Sequence, residues 1–146
     1  MSDRDVIGIR IKGFKFLAFA FKQQENIDAK ESFNFEIATN IEINQSQLNV
    51  KVFVRVIRVS VNKEVAKAET ATLFTVDGFE HFLSGDGNVK YPDGFLVTPV
   101  SLAISTTRGA ILAKGAGSFL ENIPLPIVVP KTFVPASDDR VENEDH

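Results

Sequence analysis

Few side chains in this sequence combine a reactive type with a position that suggests catalysis. The two histidines are His81 and His146, and neither stands in an order or spacing with serine and aspartate that is typical of a nucleophilic triad. A lone histidine beside a turn, such as His81, is more often a surface residue than a general base. The chain contains no cysteine, which excludes thiolate nucleophiles, disulfide bonds and cysteine-ligated metals. We therefore predict no catalytic residues.

The segment SGDGN at Ser84–Asn88 has a faint similarity to a calcium-binding loop, because Asp86 and Asn88 offer oxygen ligands. An EF-hand loop needs further oxygen ligands and a glutamate at its twelfth position, and neither requirement is met. The glycines there also lack the lysine and the serine or threonine of a phosphate-binding P-loop. The segment is predicted to be a plain turn, and neither a metal nor a cofactor is expected.

The elements that would position any functional side chain begin with four segments of strand-like polarity. In the clearest of them, apolar side chains point one way and polar side chains the other, which is typical of an antiparallel sheet with one solvated face. The predicted strands are Ile7–Phe21, Phe33–Asn44, Leu48–Val61 and Val65–Val76.

The first strand becomes apolar on both faces after Gly13, which is predicted to mark a bulge or a bend. The second half of this strand is therefore either covered on both faces or exposes an apolar patch. Strict alternation places Phe14 and Phe16 on one face, and Leu17, Phe19 and Phe21 on the other.

One long helix is predicted from Thr98 to Lys114. Thr98 suits the N-cap and Pro99 the first helical position. Lys114 suits the last turn, and Gly115 or Gly117 can end the helix. The apolar face of this helix consists of Val100, Ala103, Ile104, Thr107 and Ile111.

A second face of the helix carries small residues at every fourth position, namely Ser101, Ser105, Gly109 and Ala113. Glycine inside a helix costs about 1 kcal/mol relative to alanine, so Gly109 suggests the close approach of another backbone. That backbone is either the sheet beneath or a second helix across an oligomer interface. The sequence slightly favours the interface, because the small face is separate from the apolar face. Arg108 is either a solvated side chain or part of that contact.

Beyond the helix, Ser118–Pro135 intersperses apolar residues with four prolines. Prolines exclude a helix and a central strand, so the segment is predicted to lie extended against an apolar surface. Ser137–His146 holds five acidic residues and one arginine and is predicted to be a disordered tail. Such a tail is either solubilising or a docking site for a basic partner.

The composition favours a soluble binding protein. The chain has 13 phenylalanines, one tyrosine and no tryptophan, which suits apolar contact better than hydrogen-bonded ligand recognition. A net charge of -3 gives no electrostatic case for nucleic acid. The apolar run Phe16–Phe21 is too short for a signal peptide, and no run is predicted to span a membrane. A cytoplasmic protein is expected.

The order of these elements and three short motifs resemble the SecB family of protein-export chaperones. LFTVDGF at Leu73–Phe79 is similar to the end of the family's fourth strand, and VVPKTF at Val128–Phe133 to its Pro-x-x-Phe segment. Pro99 followed by Arg108-Gly109 is similar to the signature of its main helix. Val100-Ser101 stands where the family has an aromatic pair, so protein export and an antitoxin-associated role both remain open.

The resemblance implies an α+β fold in which a four-stranded antiparallel sheet packs against one long helix. It implies a single SecB-like domain over residues 1–136, followed by the acidic tail over residues 137–146, and a homotetramer built as a dimer of dimers. Its function would be that of an ATP-independent holdase for unfolded or pre-secretory polypeptides. A translocation motor or a toxin would be a further partner.

Two sets of site residues follow from the resemblance together with the apolar and small-residue patterns. The expected client-binding residues are Phe14, Phe16, Phe19, Phe119, Ile123 and Leu125. The expected oligomer-interface residues are Ser101, Ser105, Arg108, Gly109 and Ala113.

Two other functions compete with the chaperone. A structural or small-ligand-binding β-domain would use the same apolar residues as a closed core. An acyl-CoA enzyme of the hotdog type also wraps a sheet around one long helix, but its helix normally comes early and supplies an acid or a base. Here four strands precede the helix, and catalysis would depend on Asp93 or His81.

Overall fold

The computed structural model describes residues 8–27 and 30–122, which form one antiparallel sheet with one long helix across it. The strands are β1 (Gly8–Phe21), β2 (Phe33–Asn44), β3 (Gln47–Arg58) and β4 (Lys63–Asp77). They lie in the order β1-β4-β3-β2, and every neighbouring pair is antiparallel. The predicted fold class is confirmed. The residues after Asn122, including the predicted tail over 137–146, lie outside the described part of the chain. The other described elements are a 3₁₀ turn (Phe79–Phe82), the helix α1 (Asp93–Lys114) and a second 3₁₀ turn (Phe119–Asn122).

The strand β2 has the bounds that its alternation predicts, and a two-residue turn joins it to β3. Gln45 takes a positive φ of 55° in that turn, which lets the chain reverse tightly. The strand β3 ends at Arg58 and not at Val61, since residues 59–62 form the next turn and Asn62 takes a φ of 51° there. Val59 and Val61 are consequently exposed.

The structure places the phenylalanines of β1 on a single face, so the predicted division between two faces is wrong. The register between β1 and β4 shifts twice, between Ile11 and Gly13 and between Phe16 and Ala18. Each shift inserts an unmatched residue and thereby reverses the alternation that follows. The first shift confirms the bulge predicted at Gly13. The second was not predicted, and it returns Phe19 and Phe21 to the face of Phe14 and Phe16.

The helix α1 covers the apolar face of β3 and β4 and forms the core with it. All five residues predicted for its apolar face are buried. A buried hydrogen bond also joins the two layers, since the Thr70 and Thr107 hydroxyls lie 2.7 Å apart and Thr107 donates to the Ala103 carbonyl. The buried apolar residues of β3 and β4 are Leu48, Val50, Val52, Val54, Val56, Val65, Ala66, Ala68, Ala71, Phe74 and Val76.

The opposite face of the sheet is polar and carries cross-strand ion pairs. Arg55 on β3 pairs with Glu36 on β2 and with Glu64 on β4. Lys51 lies 3.6 Å from Glu42 in the same layer. Arg55, Glu36 and Glu42 are about half exposed, so these pairs favour the cross-strand register more than they add stability.

The helix α1 begins at Asp93, five residues before the predicted N-cap, and Pro99 lies inside it. An aromatic cluster holds the additional turn in place: the rings of Tyr91 and Phe95 stack at 5.1 Å, and Phe82 lies 5.0 Å from each of them. The Tyr91 hydroxyl donates to the Gln45 carbonyl at 2.9 Å and thereby ties this cluster to the turn between β2 and β3.

With this additional turn, α1 is long and apolar enough to span a membrane by length and composition alone, which the shorter predicted helix was not. Seven of its residues are buried, and they pack on the sheet as in the core helix of a soluble protein. The helix ends at Gly115, one of the two glycines predicted to end it.

Candidate functional site

Six phenylalanine rings form a continuous row on the helix side of the sheet. The rings of Phe14, Phe16, Phe19 and Phe21 follow one another along β1 at centroid distances of 5.7, 5.4 and 5.8 Å. Phe119 continues the row 6.1 Å from Phe21, and Phe33 at the start of β2 lies 6.1 Å from Phe119. These six residues are called the phenylalanine row below.

The row is only partly covered by the rest of the protein. Phe119 is buried, Phe21 is 38% exposed, and the other four rings are half-buried. Ile11 and Leu17, also on β1, are 51% and 40% exposed. Among the described residues β1 is an edge strand, so this apolar surface borders an edge of the sheet to which none of them adds a further strand. Apolar surface of this kind usually marks a contact site.

The position of Phe119 depends on a close contact at the end of α1. A Cβ atom placed on Gly115 would lie 2.7 Å from the Leu120 Cβ and 3.1 Å from the Ile111 carbonyl oxygen. Only glycine leaves room for Leu120 to pack at this distance. The Phe119 N–H also lies 3.4 Å from the Gln23 Oε1, just beyond the end of β1. The 3₁₀ turn that carries Phe119 is thus fixed from both sides.

One cation lies over the row. The Lys114 Nζ is 5.5 Å from the centre of the Phe16 ring, within the range of a cation–π interaction. Four of the rings also pack in or against the apolar core, namely Phe16, Phe19, Phe33 and Phe119. A surface built this way favours apolar ligands and imposes little polar selectivity.

Four of the six predicted client-binding residues come together in this row: Phe14, Phe16, Phe19 and Phe119. Ile123 and Leu125 lie outside the described residues. Phe21 and Phe33 belong to the row and were not predicted. Phe21 could have been found by allowing a second bulge in β1. Phe119–Asn122 is a 3₁₀ turn, so the extended segment predicted from Ser118 onward is wrong over these residues.

Arg58, which is half-buried, holds described residues between β1 and β2 in place. Arg58 Nε donates to the Glu31 Oε1 at 2.9 Å, and their side chains are 13% and 7% exposed. The same guanidinium donates to the Gln24 side chain at 3.1 Å and to the carbonyls of Glu25 and Asn26 at 3.2 Å. These partners stand between Phe21 and Phe33 in the chain, so Arg58 helps to set the separation of the two rings.

The Glu31 carboxylate is bound in its charged form. Partial burial raises the pKa of Glu31, but hydrogen bonds from Arg58 and Ser60 lower it by more, and the net pKa lies below its ordinary value of 4.5. The Ser60 hydroxyl donates to this carboxylate at 3.0 Å and the Ser60 N–H at 3.3 Å.

This lowered pKa predicts a stability that depends on pH. Glu31 stabilises the folded state fully above its unfolded-state pKa, and this contribution is lost as the pH falls through the folded-state pKa. Between about pH 5 and about pH 3, we expect the free energy of unfolding to fall less steeply in Glu31→Gln than in the wild type. Denaturant titrations at several pH values measure this slope. Glu25→Gln on the same loop is the matched control, and an unchanged slope in Glu31→Gln would contradict the assignment.

The expected oligomer-interface residues lie on the side of α1 that faces away from the core. Ser105, Gly109 and Ala113 are exposed, and Ser101 and Arg108 are half-buried. A Cβ atom on Gly109 would meet nothing within 4 Å among the described residues, so the sheet does not explain this glycine. Two further apolar residues lie on the same side of the helix, Leu102 and Leu112, each 39% exposed.

The residues considered above for catalysis or metal binding lie in turns or at the start of the helix. Ser84 and Asn88 donate hydrogen bonds to Asp86, which lower the pKa of its carboxyl to about 2 and close the turn. The His81 Nδ1 lies 3.0 Å from the Gly78 carbonyl on an exposed 3₁₀ turn. Asp93 is the first residue of α1. Within residues 8–27 and 30–122, no three His, Asp or Glu side chains are grouped as metal ligands.

No model of a known protein family matches the chain, and no curated protein matches it in sequence. Among solved structures, it is similar to the SecB-like chaperone Rv1957 of Mycobacterium tuberculosis, determined in complex with a ChAD peptide from the Rv1956 HigA1 antitoxin. The superposition covers 82% of this chain and 89% of that chain, with a TM-score of 0.60 and 12% sequence identity. The fold is SecB-like. At this sequence identity, the similarity concerns the fold alone.

Proposed function

We propose that this protein is an ATP-independent chaperone, a holdase that binds unfolded polypeptides along the phenylalanine row. The observation that supports this most is the row itself, which is continuous, half-exposed and located at an edge of the described sheet. A core that served stability alone would have buried these rings. The SecB-like fold supports the same proposal.

The chemistry of the row suits clients of varied sequence. An extended polypeptide presents a side chain to the same face at every second residue, about 7 Å apart. Neighbouring rings of the row are spaced at 5.4 to 6.1 Å, so consecutive apolar side chains of a client meet rings throughout. Affinity then comes from apolar burial at about 25 cal/mol per Å², with no fixed polar partner to select one sequence.

The clients are proposed to be unfolded or pre-secretory chains, or an antitoxin segment, in the cytoplasm. The SecB-like neighbour binds a peptide from an antitoxin. A peptide of that kind, bound in an extended form, fits a row of rings beside a sheet edge. The second partner in this proposal is either a translocation motor or a toxin.

The test is suppression of aggregation. A chemically unfolded protein is diluted into buffer without ATP at increasing ratios of this protein, and light scattering is followed. Suppression at about one client per tetramer is expected. Unchanged scattering at a large excess would contradict the holdase and favour a structural β-domain. A closed ligand site between α1 and the sheet is disfavoured beside Phe19, where the void of ≈ 10 Å³ is about the smallest that holds one water.

We also propose that the outward face of α1 packs against the same face of a second copy within a dimer of dimers. Glycine at position 109 lowers helix propensity by about 1 kcal/mol relative to alanine. The described residues give no steric reason for it, since nothing would contact a Cβ there. A helix of another copy supplies that reason. Leu102 and Leu112 flank the glycine and would be buried in the same contact.

Lysine at Gly109 should therefore break the association. The long charged side chain would enter a close helix–helix contact and separate the copies, while the fold of one copy stays intact because position 109 is exposed. Sedimentation velocity should show a smaller species for Gly109→Lys than for the wild type. Lysine at Ala116, an exposed position beyond the C-cap, is the control and should sediment like the wild type. Equal sedimentation of the wild type and Gly109→Lys would refute this interface.

A further inference from the structure

Lys114 places a positive charge over the β1 part of the phenylalanine row. Its Nζ lies 5.5 Å from the centre of the Phe16 ring, and that ring stands between Phe14 at 5.7 Å and Phe19 at 5.4 Å. Lys114 belongs to the last turn of α1, and its side chain is exposed. A polypeptide that lies on these three rings therefore meets the ammonium group.

The charge of Lys114 is not neutralised by a carboxylate. None of the ion pairs in the described part of the chain includes this side chain. The last turn of a helix and the face of a ring both favour a cation, but neither supplies a full negative charge. A purely apolar ligand that covered the ammonium group would remove water from it and give nothing in return.

The acidic side chains of the four described strands lie on the opposite face of the sheet. These residues are Glu36, Glu42, Glu64, Glu69 and Asp77. The first three form the cross-strand ion pairs of the polar face. Glu69 precedes Thr70, whose hydroxyl meets α1, and Asp77 follows Val76 of the core. Because neighbouring side chains of a strand point to opposite faces, both carboxylates point away from the row.

The two charges at the Phe33 end of the row cancel each other. Arg58 stands opposite Phe33 in the sheet, and its Nε donates to the Glu31 carboxylate at 2.9 Å. An incoming chain meets this arginine and this glutamate as a neutral pair. The uncompensated charge beside the row is thus the ammonium group over Phe16.

We infer that Lys114 selects among clients by charge, so that apolar segments with an acidic side chain in their middle bind more tightly than matched basic segments. This inference rests on the proposed holdase function. The apolar side chains of such a segment would lie on Phe14 and Phe19, and its carboxylate would reach the Lys114 Nζ. The flexible stem of lysine lets the ammonium group meet acids at different positions, so the row still accepts varied sequences. A basic side chain at the same place is repelled.

Three labelled peptides test this charge preference. Leucine and serine alternate in each peptide, and the central leucine is replaced by glutamate, glutamine or lysine. Fluorescence anisotropy with the full-length protein should give the tightest binding for the glutamate peptide and the weakest for the lysine peptide, about three- to tenfold apart. The difference should shrink in about 0.5 M NaCl, because salt screens exposed charges.

Substitutions of Lys114 should change the order of the three affinities. Lys114→Gln should remove the preference, and Lys114→Glu should reverse it. Affinity for the glutamine peptide should stay within about threefold of the wild type in both variants, because the rings remain. Lys15→Gln is the matched control, since Lys15 precedes Phe16 but pairs with Ala71 on the polar face, and this variant should keep the wild-type order. Circular dichroism establishes that all three variants are folded.

Equal affinity of the wild type for the three peptides would overturn the charge selection and leave the holdase standing. An unchanged preference in Lys114→Glu would also overturn it, because another charge would then be responsible. If none of the peptides binds, the charge selection fails as well, and the aggregation assay decides separately whether the holdase fails with it.

Discussion

Serine at both Phe14 and Phe16 is expected to weaken the binding of an unfolded client between tenfold and a hundredfold. The two rings lie 5.7 Å apart in the middle of the exposed part of β1, and both are half-buried. If a client covers about 50 Å² of each ring, serine removes about 100 Å² of apolar contact, which corresponds to about 2.5 kcal/mol. Fluorescence anisotropy of a labelled, permanently unfolded chain measures the affinity.

The matched control removes two other exposed apolar side chains. Ile43 and Leu83 are 41% and 45% exposed, and Ile43 lies at the end of β2 opposite Phe33. Ile43→Ser with Leu83→Ser should leave client affinity unchanged within about twofold. Circular dichroism of both double variants establishes that they are folded. Wild-type affinity in a folded Phe14→Ser, Phe16→Ser protein would show that the row is not the client site.

Alanine at Gly115 is expected to lower the free energy of unfolding by about 1–3 kcal/mol, the usual cost of overpacking. The added methyl group would meet the Leu120 Cβ at 2.7 Å and the Ile111 carbonyl oxygen at 3.1 Å. Neither is the free end of a flexible chain, so the 3₁₀ turn must move. Phe119 moves with it, and the row is interrupted between Phe21 and Phe33. The free energy of unfolding, measured by denaturant titration, and the client affinity should both decline.

Alanine at Gly109 should instead raise the free energy of unfolding. A methyl group there meets nothing within 4 Å, and alanine has the higher helix propensity, so one copy of the chain should gain up to about 1 kcal/mol. The comparison is made at a dilution at which the chain sediments as a single copy. Destabilisation of similar size by both alanines would mean that glycine is needed at both positions for a reason other than the contacts described.

The fold could be predicted from the sequence in elements where the apolar residues follow a single strand or helix period. In β2, apolar and polar side chains alternate except at Ala38 and Thr39, and the bounds of the strand are those predicted. The five apolar positions of α1 are all buried because the sheet below fixes which face turns inward. The predicted start of α1 is too late, because Pro99 suits a first helical position but lies inside the helix. The turn before it is held by Phe82, which packs on Tyr91 and Phe95 from outside the helix.

The site was harder to predict than the fold, and the bulges in β1 explain most of the difference. Gly13 marks the first bulge by its lack of a side chain. The second lies at Leu17, an ordinary strand residue whose neighbours give no indication of a register shift. Phe33 joins the row only through Phe119, whose position is set by Gly115 and Leu120. Such long-range packing cannot be deduced from spacing along the chain.

The sheet order also has a consequence for how this protein folds as it is synthesised. The strands β2, β3 and β4 form two successive hairpins, which close locally, whereas β1 pairs only with β4, from Gly8 opposite Asp77 to Phe21 opposite Ala66. Such a long-range closure is slow relative to hairpin formation. The ribosome therefore releases the phenylalanine-rich β1 first and leaves it unpaired until β4 has emerged. During that interval the nascent chain is itself an exposed apolar polypeptide, and under the proposed holdase function it would be a client of finished copies of the same protein.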